Sequence, residues 1–135
     1  MKRIFIDTSG FYALLIADDR NHAREELFRI GERERWRLVT TNAVVVEAHA
    51  LFLHRSRPGR QNAIRFLDAI ESEKHDAIRV RKDDERNAIA IIRAHRDKMY
   101  SLCDSLSFVV MERLQISEAI SFDQDFCSYG RSTIL

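Results

Sequence analysis

Short apolar segments alternate along this chain with longer segments of helical periodicity, and no other feature of the sequence constrains the fold as much. The predicted strands are residues 3–6, 37–40, 77–80 and 118–121, with a further candidate at 132–135. Between them, apolar side chains recur at three- and four-residue spacing, as at Ala63, Phe66, Leu67 and Ile70, which predicts amphipathic helices. Short buried strands that alternate with helices form a parallel sheet covered on both faces. We therefore expect an α/β fold of three layers with a central parallel sheet of four to five strands.

The size and composition of the chain fit one domain. With 135 residues, 45% of them hydrophobic and 32% charged, the chain is long enough to bury a core, and no linker divides it. The prediction is a single domain over residues 1–135. No apolar run reaches the length of a membrane span, the first residues do not resemble a signal peptide, and two cysteines are too few for a disulfide framework. We expect a cytoplasmic protein without a membrane partner.

Four acidic residues should meet at one edge of this sheet. Asp7 directly follows the first strand, Asp123 comes just after the fourth, and Glu47 lies early in the helix that leaves the second. Asp104 opens a helix that leads into the fourth strand. Because such a helix runs antiparallel to the strand, its first turn returns to the carboxyl edge. Ligands of open parallel sheets bind outside this edge.

This grouping of acids predicts a divalent metal site. A single acid after a strand is more often a helix cap or a turn residue. Four acids together are harder to explain in that way, because two carboxylates about 4 Å apart repel by roughly 4 kcal/mol at an effective dielectric constant of about 20. A hard cation such as Mg²⁺ or Mn²⁺, which prefers carboxylate oxygens, removes this penalty. The five histidines form no competing metal-binding pattern.

The positive charge of the chain does not identify a ligand by itself. The net charge is +1, so no overall field favours nucleic acid. Two local basic clusters occur, one around Pro58 and one after the third predicted strand: Arg55, Arg57 and Arg60, and Arg79, Arg81 and Lys82. Either cluster could bind RNA phosphates, or both could be solvated turns.

The segments that carry the four acids resemble those of PIN-domain nucleases. The matching segments are residues 4–9 (IFIDTS), residues 40–42 (TTN) followed by Glu47, residues 102–105 (LCDS) and residues 120–126 (ISFDQDF). Each motif alone is weak, but the acids occur in the order and spacing of the family, over essentially the whole chain. Within the family, the sequence is most similar to VapC-like toxins of prokaryotic toxin–antitoxin pairs.

The resemblance implies the fold, the activity and the partners. It implies a strand order of 3-2-1-4-5 and an endoribonuclease that hydrolyses single-stranded RNA with Mg²⁺ or Mn²⁺, leaving 5′-phosphate and 3′-hydroxyl ends. A cognate antitoxin protein and a homodimer are also implied. The acids Asp7, Glu47, Asp104 and Asp123 match the acidic positions of the family, and by this resemblance they are the metal-binding and catalytic residues.

Three further residues belong to the expected site with less defined roles. Thr8 or Ser9 matches the hydroxyl residue that follows the first acid, and would orient a metal ligand or a bound water. Ser9 could equally be a local cap for the helix that follows. Asp125 offers a second acid beside Asp123, so the fourth ligand stays open between the two. Phe126 matches an aromatic core position of the family, which favours Asp123.

Two other functions compete with this interpretation. A haloacid dehalogenase-type phosphatase also begins with an Asp after its first strand, but it needs a second acid two residues later, where this chain has Ser9. The chain also lacks a Gly-rich phosphate loop. A PIN-like module with weak catalysis that binds RNA or protein is the second alternative, and the complete set of four acids argues against it.

Overall fold

A five-stranded parallel sheet forms the centre of the computed structural model, which describes residues 2–16, 25–129 and 133–134. The strands are β1 (Arg3–Ile6), β2 (Arg37–Thr41), β3 (His75–Ile78), β4 (Glu118–Ile120) and β5 (Thr133–Ile134). Their order in the sheet is β3-β2-β1-β4-β5, and each neighbouring pair is parallel. The predicted fold class and strand order are therefore confirmed.

The helices that connect these strands agree with the predicted alternation, with one addition. They are α1 (Thr8–Leu15), α2 (Glu25–Arg33), α3 (Asn42–Arg55), α4 (Gly59–Glu71), α5 (Lys82–Ala94), α6 (Leu102–Arg113) and α7 (Gln124–Ser128). The sequence did not predict the short α7. The helical spacing of Ala23, Leu27 and Ile30 predicts a second helix over residues 20–35, and its first residues lie outside the described part of the chain. No helix in the described ranges is both long enough and apolar enough to cross a membrane.

The position of β1 in the middle of the sheet determines where the site lies. Ile4, Phe5 and Ile6 are fully buried, and β1 pairs with β2 on one side and with β4 on the other. Asp7 therefore leaves the sheet between the segments that follow β2 and β4. These are the segments that carry Glu47 and Asp123.

The third strand begins and ends two residues earlier than the sequence pattern predicts. The apolar pattern favoured residues 77–80, whereas β3 runs from His75 to Ile78 and pairs with β2 along its whole length. Val80 has left the sheet, because its backbone N–H donates to the side-chain oxygen of Asn42 at 2.9 Å. Its side chain packs instead against the small cluster formed by Ala88, Leu106 and Val109.

A buried ion pair joins α5 to α6. The side chain of Asp84 is 3% exposed and accepts two hydrogen bonds from the guanidinium of Arg113, at 3.0 Å and 2.8 Å. A third comes from the backbone N–H of Arg81. These donors satisfy a carboxylate that burial would otherwise leave without a partner. The pair therefore fixes α5 against the end of α6, the helix whose first turn carries Asp104.

Replacing Arg113 by Met should destabilise the fold by about 3 kcal/mol, because Asp84 would stay buried without its cation. Urea denaturation measures the free energy of unfolding. Arg86→Met is the matched control, since Arg86 pairs with Asp83 at 3.7 Å on an exposed surface, and its loss should change stability by less than about 0.5 kcal/mol. Equal stability of the two variants would contradict the role given to the buried pair.

Candidate active site

Asp7 is the most enclosed of the four predicted acids. It is 5% exposed, and it is the N-cap of α1. Its Oδ1 accepts hydrogen bonds from the Ser9 hydroxyl at 2.7 Å and from the Gly10 N–H at 2.9 Å, and its Oδ2 accepts one from the Ser121 hydroxyl. A Cβ on Gly10 would lie 2.8 Å from the carbonyl oxygen of Ile120, so glycine is needed for α1 to begin this close to β4. Asp7 therefore has both oxygens fixed, and the cap of α1 is Asp7 and not Ser9.

The hydroxyls of Ser9 and Ser121 also tie Asp7 to the turn after β4. Ser9 Oγ accepts the backbone N–H of Phe122 at 2.9 Å, and Ser121 Oγ accepts that of Asp123 at 3.2 Å. Each hydroxyl thus accepts from the turn and donates to Asp7, which determines the direction of its proton. The network links the first acid to the fourth.

Glu47 stands on the second turn of α3, and Thr8 orients it. The hydroxyl of Thr41 accepts the N–H of Val44 at 3.1 Å, and this cap fixes where α3 begins. The Thr8 hydroxyl donates to Glu47 Oε1 at 2.7 Å. Unlike Asp7, Glu47 is exposed, so its side chain can rotate without disturbing the core.

Asp104 and Asp123 both stand at helix N-termini and take part in caps. Asp104 Oδ2 accepts the N–H of Ser101 at 3.3 Å, while Ser101 Oγ accepts the N–H of Asp104 at 3.0 Å. Asp123 Oδ1 accepts the N–H groups of Asp125 at 2.8 Å and Phe126 at 3.5 Å. The helix dipole favours a negative charge at both places.

One pocket of about 250 Å³ brings the predicted residues together. Asp7, Glu47, Asp104 and Asp123 all line it, together with Thr8 and Ser9. The described residues that line the pocket include no Lys, Arg or His, and Asp125 is not among them. Two cavities of about 470 and 700 Å³ lie elsewhere and contain none of these four acids, so cavity size alone would not have identified the site.

Burial and neighbouring negative charge raise the pKa of two of these carboxyl groups. Desolvation raises the pKa of Asp7 to about 6, with a contribution from the charge of Asp123, although the hydrogen bonds to Asp7 oppose the change. Desolvation, followed by the charges of Asp123 and Glu47, raises the pKa of Asp104 to about 6. Above this pH the pocket carries negative charge that no side chain of its lining balances.

The donor set fits a hard divalent cation, but the side chains are not arranged around one point. Carboxylate and hydroxyl oxygens are the ligands that Mg²⁺ and Mn²⁺ prefer. Within the described ranges, however, no three Asp, Glu, His or Cys side chains stand where they could hold one ion together. Asp7, Asp104 and Asp123 each accept hydrogen bonds from backbone N–H groups at a helix N-terminus, which holds their oxygens toward the backbone. Metal binding would require rotation of Glu47, Asp104 and Asp123 within the pocket.

Cys103 also lines the pocket, where its thiol is not a nucleophile. Burial raises the pKa of the Cys103 thiol, and the charges of Glu47 and Asp104 raise it further. A thiol of this kind stays protonated at neutral pH, and the thiolate is the reactive form.

Two site residues were absent from the set predicted from the sequence. Ser121 holds Asp7, and Ser101 caps the helix that carries Asp104. The Ser101–Asp104 spacing is that of a capping box, a signal present in the sequence. Ser121 directly follows β4 at the carboxyl edge, a position that alone does not distinguish a site residue from a turn residue.

The chain is similar in sequence and in structure to known proteins. Residues 4–132 match the family model described as PIN domain. Proteins called 23S rRNA-specific endonuclease VapC20, from two strains of Mycobacterium tuberculosis (CDC 1551 / Oshkosh and ATCC 25618 / H37Rv), are each 31% identical over 129 residues, 94% of this chain and of theirs. The crystal structure of M. tuberculosis VapC20, described as a sarcin–ricin loop cleaving toxin, has a TM-score of 0.85 at 29% identity over 95% of both chains.

A more distant structure shares the fold alone. VapBC2 from Rickettsia felis, solved bound to a DNA fragment from their promoter, has a TM-score of 0.73 at 10% identity and covers 98% of this chain and 97% of its own. The family match spans nearly the whole sequence, and the identity to the mycobacterial VapC20 proteins extends over the same length. The resemblance noted in the sequence is thereby confirmed, and the chain belongs to the PIN-domain family.

Proposed function

We propose that this chain is a metal-dependent endoribonuclease that cleaves single-stranded RNA and acts as the toxin of a toxin–antitoxin pair. One observation carries the proposal: acids from four separate segments line one pocket whose described lining offers them no cation. Similarity to proteins named as 23S rRNA-specific endonucleases supports RNA as the substrate. The whole chain, residues 1–135, would form the single nuclease domain.

The four acids would together hold Mg²⁺ or Mn²⁺. A cation bound by Asp7, Glu47, Asp104 and Asp123 would supply the charge that lowers the pKa of an attacking water and stabilises the leaving 3′-oxygen. The set uses Asp123 and not Asp125, because only Asp123 lines the pocket.

The protein's own contribution is to orient these acids. Ser9 and Ser121 hold both oxygens of Asp7, and Thr8 holds one oxygen of Glu47. Outer hydrogen bonds of this kind typically change metal affinity or activity 10- to 100-fold, in order of magnitude, when they are removed. Thr8 and Ser9 are therefore positioning residues in this proposal.

Exposed apolar side chains close in sequence to the pocket acids support a protein partner. Val46, next to Glu47, is 71% exposed, Met99 is 85% exposed, and Leu102, two residues before Asp104, is 48% exposed. Large apolar side chains left in water are typical of protein interaction sites. A cognate antitoxin protein that covers these residues would also block the pocket. A homodimer, which the family resemblance implies, belongs to the same proposal.

The protein should cleave single-stranded RNA when Mg²⁺ or Mn²⁺ is present and lose this activity in excess EDTA. Asp7→Asn should lower the rate by more than about 100-fold, because it removes a ligand and not only an outer hydrogen bond. Gel analysis of a labelled RNA measures the rate, and circular dichroism confirms that the variant is folded.

Asp125→Asn is the matched control and should keep the activity of the unmodified protein. Undiminished cleavage in EDTA would contradict the metal mechanism. Binding of RNA without cleavage, under all metal conditions, would favour a binding module that has lost catalysis.

Metal binding should also raise the free energy of unfolding. Saturating Mn²⁺ at about 100 times its Kd should raise the free energy of unfolding by about 2.7 kcal/mol. Asp104→Asn should remove most of this gain, because a ligand is lost, and should leave the metal-free protein at least as stable, because one repulsive charge is lost. Thermal denaturation with and without Mn²⁺ measures both effects. If Asp104→Asn leaves the Mn²⁺ response unchanged, the shared site is wrong.

The stabilities of the unmodified protein and of Asp104→Asn should also depend on pH. The pKa of Asp7 and that of Asp104 are each raised to about 6 in the folded protein, against the ordinary Asp value of 3.8. Between these values the folded state binds more protons than the unfolded state, so metal-free stability rises as the pH falls. The advantage of Asp104→Asn in the absence of metal should therefore shrink from pH 7 to pH 4. At pH values below about 6, Mn²⁺ should stabilise the unmodified protein less, because protons compete with the ion for the carboxylates.

Expression of the protein alone should slow bacterial growth, and co-expression of the small protein encoded beside it should restore growth. Asp7→Asn should be harmless at the same expression level, because toxicity requires RNA cleavage. Growth curves with matched immunoblots measure this. If the active protein is harmless in cells, the toxin assignment is wrong although the nuclease assignment stands.

A further inference from the structure

The turn between α3 and α4 lies in a stretch of sequence that contains several arginines and no acidic residue. No Asp or Glu occurs from residue 48 to residue 67, a stretch that contains Arg55, Arg57, Arg60 and Arg65. The first three are exposed and follow one another around the turn. We call Arg55, Arg57 and Arg60 the basic turn. None of the three forms an ion pair with any residue in the described ranges.

The N-terminus of α4 adds to this positive surface. The helix has thirteen residues, its N-cap is Pro58, and no side chain caps its first turn. Uncapped N–H groups at the positive end of a helix dipole attract anionic oxygens. The helix terminus and the three guanidinium groups therefore favour the same kind of ligand at the same place.

The basic turn is also held rigidly. The hydroxyl of Ser56 donates to the carbonyl oxygen of Phe52 at 2.5 Å, and Asn62 Nδ2 donates to Ser56 Oγ at 3.0 Å, both in buried positions. A Cβ on Gly59 would lie 2.2 Å from the carbonyl oxygen of Leu53, so the start of α4 packs directly on the end of α3. A rigid turn loses little conformational freedom when a ligand binds.

The basic turn lies on a line that begins at the acidic pocket. Glu47 and Leu51 both line the pocket, and Arg55 stands one helical turn beyond Leu51 on the same side of α3. Arg55 follows Glu47 by eight positions in the helix, about 12 Å along the axis. α1 runs beside this stretch: Thr8 bonds to Glu47, and the Tyr12 hydroxyl donates to the carbonyl oxygen of Arg55 at 3.2 Å.

We propose that the basic turn binds phosphates of the RNA strand that flank the bond to be cleaved. The proposal rests on the proposed nuclease function and extends it to the path of the substrate. Its physical basis is that the pocket is acidic and repels a polyanion, so affinity for RNA must come from positive groups outside it. Arginine suits this task because its guanidinium makes paired hydrogen bonds to phosphate.

RNA binding measured in the absence of metal tests this proposal independently of catalysis. A fluorescein-labelled oligouridylate is titrated with the full chain in EDTA, and anisotropy gives Kd over a series of salt concentrations. Arg57→Gln/Arg60→Gln should bind about tenfold more weakly at about 0.1 M salt. The slope of log Kd against log salt should fall by about 1.4, because two phosphate contacts on a single strand are lost.

Arg86→Gln/Arg93→Gln is the matched control. Both arginines are exposed on α5, and their removal changes the net charge by the same amount. Its Kd and salt slope should equal those of the unmodified protein. With Mn²⁺ present, Arg57→Gln/Arg60→Gln should raise KM and leave kcat unchanged, because neither arginine touches the reacting atoms.

Unchanged RNA binding by Arg57→Gln/Arg60→Gln would overturn the proposal, and the anionic partner of the turn would then be of another class, such as an acidic protein. Equal losses in the two double variants would also overturn it, since affinity would then follow net charge alone. Weaker binding confined to Arg57→Gln/Arg60→Gln supports it. That result stands even if no variant cleaves RNA with metal, in which case the nuclease function fails and the binding surface remains.

Discussion

The burial of one carboxylate, that of Asp7, is the constraint on which the rest of the site depends. β1 is the middle strand of the sheet and is fully buried from Ile4 to Ile6, so the acid that follows it enters a desolvated position between two neighbouring segments. Three hydrogen-bond donors hold its charged form, but they do not offset the desolvation, and the pKa remains raised to about 6. A bound cation would offset the part of the desolvation penalty of Asp7 that these hydrogen bonds leave.

The hydrogen bonds that satisfy Asp7 also couple the acids to one another. Ser9 and Ser121 each connect Asp7 to the backbone of the turn after β4, and that turn continues into the cap formed by Asp123. A shift of this turn would therefore move the fourth acid and release an oxygen of the first. Asp104 belongs to a different unit, since its helix is fixed at its far end by the buried Arg113–Asp84 pair. The pocket is assembled from parts that the fold stabilises separately.

The sequence predicted the architecture because strand and helix periodicities are local signals that a parallel sheet must obey. It placed the four acids at one edge because the carboxyl ends of parallel strands share an edge, and all four do line one pocket. Local signals failed where tertiary contacts decided the outcome. Val80 looks like a strand residue but packs between helices, and Ser121 looks like the last residue of a strand but follows β4 and holds Asp7. The sequence also could not predict that no three Asp, Glu, His or Cys side chains of the described residues stand where they could hold one ion, because side-chain rotamers depend on contacts in three dimensions.

Along the proposed substrate path, the helix α3 carries an acidic residue at the pocket and basic residues at its far end. Its second turn contributes Glu47 to the acidic pocket, and its last turn carries His54 and Arg55, which the helix dipole favours there. An acidic pocket suits a cation and repels RNA, whereas a basic turn attracts RNA along its backbone. Separating these two groups by about 12 Å of rigid helix lets each keep its own charge. If both groups stood in one place, the arginines would pair with the acids, and neither the ion nor the phosphate would find an unpaired partner.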